Sequence, residues 1–166
     1  MQGTYGEEID GKWRGCAVGC SIRSLNLING TDIHTKDHYA LANVLGITQQ
    51  LHYLEDKIFE GLPKEKAMRW PLRFTEAIPE EANVSLVVSK FMVWLGEEMK
   101  ELVNNFDVHR VWDTVISLYQ RVIDGQEVTQ KEWLWTAKEA AWAEEEQFYE
   151  KMADKLIELL EECKNS

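Results

Sequence analysis

Thr129-Gln130-Lys131-Glu132-Trp133-Leu134-Trp135-Thr136 heads a stretch that runs to Lys164 without a glycine or a proline, and its reading decides the fold class. Thr129 and Glu132 stand in the register of a capping box, where hydroxyl and carboxylate each satisfy a backbone N–H that the first helical turn leaves orphaned. From there the spacing predicts one long C-terminal helix over residues 130–163, on the order of 50 Å at ~1.5 Å per residue. Trp135, Trp142, Tyr149, Leu156 and Cys163 recur every seven residues, with Met152, Ala153, Leu159 and Leu160 alongside. Such a seam packs against the rest of a bundle. Its Leu-rich end, residues 155–163, also offers a surface for homo-oligomerisation.

Outward from this element, helices follow one another with short connections. Residues 15–27 read as a helix that stops before the turn pair Asn29-Gly30. Thr35 is an N-cap candidate for a helix through Leu45, with Gly46 as its C-terminal stop. Thr48 caps residues 49–60, whose Leu51, Leu54, Ile58 and Phe59 keep three- and four-residue spacing. Residues 64–78 are helical in pattern but contain Pro71, which lacks an N–H and clashes with the preceding turn, so a break or kink falls at Trp70-Pro71. Residues 86–103 read as the central buried helix, weakened at Gly96. Asp107 is the cap expected for 108–123, which Gly125 closes. Residues 1–12, with Gly3, Gly6 and Gly11, form an N-terminal arm or loose hairpin. The expectation is an all-α protein: an arm, then one irregular helical bundle over 13–166.

Composition narrows the function classes. The chain has 166 residues, 45% apolar and 28% charged, with a formal charge of −11. Residues 1–83 hold 9 basic and 12 acidic side chains, whereas 84–166 hold 9 and 17, so the acidity gathers in the C-terminal half. That surface repels nucleic acid and anionic membranes and attracts basic protein surfaces. No apolar run is long enough to cross a bilayer. Three cysteines, an odd number, do not make a disulfide framework. With no basic-then-apolar stretch at Met1, the expected location is the cytoplasm.

The candidate site centres on Trp13-Arg14-Gly15-Cys16-Ala17-Val18-Gly19-Cys20. In a helix, Gly15 with Gly19 and Cys16 with Cys20 share faces of almost no side-chain volume, so another helix or a ligand must approach the backbone there. A helix N-terminus presents N–H groups to anions. Arg14 and Arg23 flank the segment, and Lys66, Arg69 and Arg73 lie on one face of the broken helix beside Trp70. Arginines with aromatic planes suit a nucleotide-like ligand, with charge for phosphate and stacking for a base.

Trp13–Cys20, the string Leu54-Glu55-Asp56-Lys57-Ile58-Phe59-Glu60-Gly61-Leu62-Pro63, Trp70-Pro71-Leu72-Arg73-Phe74 and Ala77-Ile78-Pro79 together resemble a group of phage and prophage proteins. The resemblance spans residues 12–143, with Ala137 to Ala143 echoing an Ala/Trp-rich helical tail. It implies a viral or mobile-element setting and carries no catalytic residue with it.

Three functional readings follow. The first is a non-catalytic protein that sequesters a small anionic, nucleotide-like ligand and so counters a host defence signal, through Trp13, Arg14, Gly15, Cys16, Gly19, Cys20, Arg23, Lys66, Arg69, Trp70 and Arg73. The second is an acidic inhibitor or adaptor, a nucleic-acid mimic, docked on a basic host protein. The third is an enzyme using Cys16 or Cys20 with His34, His38 or His52, because a cysteine at a helix N-terminus has a lowered pKa. No cofactor or metal is expected: Cys16 and Cys20 lack CxxC spacing, and the histidines lie in no ExxH pair. Glu98-x-x-Glu101 followed by Arg110-x-x-Asp113 departs from the magnesium site of the all-α pyrophosphatases, since Arg110 replaces a needed carboxylate.

Overall fold

The structure is a computed structural model describing residues 2–79, 83–136 and 146–165. It is predominantly α-helical, and its contacts gather into two compact units, Met1–Glu80 and Glu81–Ser166.

The first unit begins with a hairpin. Strands β1 (Glu7–Ile9) and β2 (Lys12–Arg14) pair antiparallel, Glu7 opposite Arg14. Asp10 and Gly11 between them both take positive φ, 51° and 71°, as a tight Asp-Gly hairpin turn requires. Five helices follow: α1 (Ala17–Asn29), α2 (His38–Leu45), α3 (Gln49–Gly61), α4 (Lys64–Ala67) and α5 (Trp70–Ala77). Cys16 caps α1, its sulfur accepting the Gly19 N–H, and Gly30 ends it in the left-handed conformation. Thr48 caps α3 as its sequence indicates. The cap of α2 is a correction: Asp37, not Thr35, accepts the Ala40 N–H, and the helix starts at His38. Pro71 falls in the first turn of α5, where a missing N–H costs nothing, so residues 64–78 form two short helices. Val18, Ile22, Leu51, Ile58, Trp70 and Phe74 make the core of this unit.

The second unit contains α6 (Val87–Leu102), α7 (Phe106–Ile123), α8 (Gln130–Thr136) and α9 (Glu146–Glu162). Asn105 rather than Asp107 caps α7, its side chain accepting from the Asp107 and Val108 N–H groups. At Thr129 the capping box is complete. The Thr129 N–H donates to Glu132 Oε2 at 2.8 Å, and the Glu132 N–H returns to Thr129 Oγ1 at 3.4 Å. The expected single helix over 130–163 has its middle, residues 137–145, outside the described residues. Its last turn tightens to a 3₁₀ segment, Cys163–Asn165. Phe91, Leu95, Met99, Trp112, Met152, Leu156 and Leu160 are buried, so the α9 part of the seven-residue seam faces the core. None of the described helices is long and apolar enough to cross a membrane.

Candidate functional site

What approaches Gly15 and Gly19 is the backbone of the N-terminal arm rather than another helix. A Cβ at Gly19 would overlap the Tyr5 carbonyl oxygen, and one at Gly15 would come within 2.9 Å of Gly6 Cα. The Cys16 N–H donates to the Thr4 carbonyl at 2.7 Å. Residues 2–6 thus cross the start of α1 as a strap. Gln2 Nε2 anchors it by donating to the Phe59 and Leu62 carbonyls, 2.7 Å each, at the C-terminus of α3. Gly6 lies against the Trp13 indole, and the Arg23 guanidinium sits 4.5 Å from the centre of that ring, a cation–π contact.

Beside the strap lies a cavity of about 610 Å³, within the range of small-molecule sites. Trp13, Phe59, Ala67, Met68 and Pro71 give it apolar walls; Arg14 and Lys64 bring positive charge; Gln2, Cys20 and Ser21 add hydrogen-bonding groups. Gly15, Cys16 and Ala17 complete it from the α1 side.

Of the residues singled out in the sequence, Trp13, Arg14, Gly15, Cys16 and Cys20 meet at this cavity. Six others do not line it. Gly19 is under the strap, and Arg23 stacks on Trp13. Trp70 is buried, its indole N–H donating to the Glu55 carbonyl at 3.2 Å. Lys66 on α4, Arg69 at the N-cap of α5 and Arg73 on α5 are exposed elsewhere. Lys64 supplies the charge instead. Its spacing to Met68 and Pro71, four and then three residues on, marks the neighbouring helical stripe, a signal available in the sequence.

Behind the cavity the same unit buries a polar cluster. Tyr5 Oη lies 3.1 Å from His38 Nε2, and His38 Nδ1 lies 3.0 Å from His52 Nδ1. One imidazole of that pair must donate and the other accept, so the accepting ring is neutral. Burial, then the adjacent His38, lowers the His52 pKa to about 4. Glu55 is buried too; burial and then the nearby Asp56 raise its pKa to about 8. Glu55 Oε1 and Asp56 Oδ1 have neither a hydrogen-bond partner nor solvent.

The cysteine reading loses its premise at one position. Burial pushes the Cys16 thiol up to about 11, outweighing the hydrogen bond from the Gly19 N–H. The histidines considered as its base are engaged elsewhere: His38 and His52 with each other, and His34 Nδ1 with the Lys36 N–H. Comparison of the chain with protein-family models, curated proteins and solved structures finds no match.

Proposed function

We propose that this chain is a non-catalytic binding protein whose ligand is a small amphipathic anion of the nucleotide class, held in the cavity between the strap, α1 and α4. The supporting observation is the cavity itself: an apolar chamber of about 610 Å³ with Arg14 and Lys64 in its lining. An aromatic or apolar body gains by leaving water against Trp13, Phe59 and Met68. A phosphate or carboxylate gains a charge-assisted pair with Arg14. In a phage setting, such a protein would act by sequestering a host nucleotide signal.

Thermal denaturation with a panel of linear and cyclic nucleotides tests this reading. A ligand at a hundredfold excess over its Kd should stabilise the protein by about 2.7 kcal/mol. Arg14→Ala and Lys64→Ala should each weaken binding about tenfold, equivalent to ~1.4 kcal/mol, while Arg73→Ala should leave it unchanged. No shift with any nucleotide, or equal affinity after Arg14→Ala, overturns the reading.

A further inference from the structure

We infer that Cys16, Asp56 and Glu60 form a binding site for a divalent cation of borderline softness, of the zinc class, beneath the strap. One ligand atom from each of the three, a sulfur and two carboxylate oxygens, lies within 4.8 Å of the others. Among the described residues no other three His, Cys, Asp or Glu side chains gather so closely. They come from two elements: Cys16 is the cap of α1, while Asp56 and Glu60 are four apart on α3 and so share a face.

A sulfur combined with carboxylates is a metal donor set rather than a solvated acidic patch. Thiolate, imidazole and carboxylate are the ligands zinc takes, and hard cations such as magnesium prefer oxygen alone. In a tetrahedral shell, bonds of about 2.0–2.3 Å place neighbouring ligand atoms roughly 3.5 Å apart, so these side chains need to close by at most about 1.3 Å. Two further observations favour a cation. Asp56 Oδ1 is sealed from solvent without a hydrogen-bond partner, a costly state that coordination would relieve. The Gly19 N–H already points at the Cys16 sulfur, and an N–H donor of that kind supports a ligating thiolate. Three protein ligands leave the fourth position of a tetrahedral shell to water, and Glu60 Oε2, which accepts the Gly3 N–H at 2.6 Å, ties the site to the strap.

The inference does not rest on the nucleotide reading, and its test uses no nucleotide. Cobalt(II) added to the metal-free full chain should bind one equivalent and give thiolate-to-cobalt charge-transfer absorption, which zinc abolishes by displacement and excess magnesium does not. Cys16→Ser should remove the band; serine keeps an N-cap oxygen, so α1 is retained. Cys20→Ser and Cys163→Ser should leave it in place. Glu60→Gln, at an exposed position, should weaken zinc at least tenfold in competition titration. The site is overturned if no charge-transfer band forms, if the band survives Cys16→Ser, or if Glu60→Gln binds zinc as tightly as the native chain.

Discussion

The two units solve the same packing problem with different interiors. Met1–Glu80 buries His38, His52 and Glu55, whereas in Glu81–Ser166 the buried polar residue among those described is Ser89. The second unit keeps its charges outside in pairs such as Lys100–Asp113 at 2.6 Å and Arg121–Glu132 at 2.7 Å. Burying an ionisable group costs stability unless its partners are complete, and in the first unit two carboxylate oxygens have none. Expensive polar interiors next to a cavity are where function concentrates. The contrast sets a polar interior beside a cavity in the first unit against ordinary helical packing in the second.

The largest expected difference comes from two helical glycines. At Gly19 an added Cβ meets the Tyr5 carbonyl, a backbone atom that cannot turn aside. Gly19→Ala should therefore displace the strap and cost about 3 kcal/mol or more, at the upper end of overpacking. At Gly96 the atoms met belong to side chains, Ile116 Cγ1 at 2.6 Å and Trp112 Cε3 at 3.2 Å, which must shift against the stiffness of a β-branched residue but are not backbone. Gly96→Ala also gains about 1 kcal/mol of helix propensity, so its net cost should be smaller, about 1–2 kcal/mol. Urea unfolding of both variants decides it, and equal losses would break the contrast.

Next in size is an acid effect confined to the first unit. His52 is held near a pKa of about 4 when folded and returns toward 6.5 when unfolded. The unfolded chain thus binds this proton more readily, and the histidine's contribution to stability should fall as pH drops from about 6.5 to 4, by roughly 3 kcal/mol in full. Glu55, raised to about 8, works the opposite way between about 8 and 4.5, so the effect is read as the difference between the native chain and His52→Gln. Parallel profiles for the two between these values would show that the pair is not buried as described.

Glu55→Met should move stability the other way. It replaces a buried carboxyl whose Oε1 has no partner by an apolar side chain of similar length. The expected gain is about 1–2 kcal/mol near neutral pH. The Trp70 indole keeps its bond to the Glu55 backbone carbonyl and loses the hydrogen bond to the carboxyl that holds the Glu55 pKa down. A loss of stability would mean that the carboxyl has a role in holding the unit together.

Caps and stops were legible where a single residue could serve. Thr48, Gly46 and the Thr129–Glu132 box stand as read, because each is a local bargain between a side chain and its own first or last turn. Where several cap formers crowd together, the sequence is ambiguous. Thr35 and Asp37 compete before α2, and Asn105 and Asp107 before α7, and tertiary packing selects between them by fixing which turn begins the buried face. The small face of Gly15 and Gly19 was equally legible, but its occupant was not. A strap of residues 2–6 carries no periodicity, so nothing local announces that its backbone returns to α1. The candidate basic residues lie off the cavity for a related reason. Lys66, Arg69 and Arg73 share a face, but the neighbouring stripe through Lys64 is the one turned toward the cavity.

The smallest expected effect belongs to the second unit. Glu132 accepts from Arg121 Nη1 at 2.7 Å and from the Thr129 N–H and hydroxyl at 2.8 and 2.7 Å. The Arg121 hydrogen bond, followed by those from Thr129, lowers its pKa to about 2. A carboxylate depressed on folding contributes stability that is present above its unfolded value, near 4.5, and lost as pH falls toward 2. The native chain should thus show a slight loss in melting temperature over that window, absent in Glu132→Gln. Because the group lies at the surface, solvent and salt screen the interaction, and the loss should shrink further at high ionic strength. Faster amide exchange at Thr129 in Glu132→Gln would localise the effect to the start of α8. If this exposed pair instead outweighed the His52 transition, electrostatic cost would reside on the surface of the second unit, and the division of roles between the two units would fail.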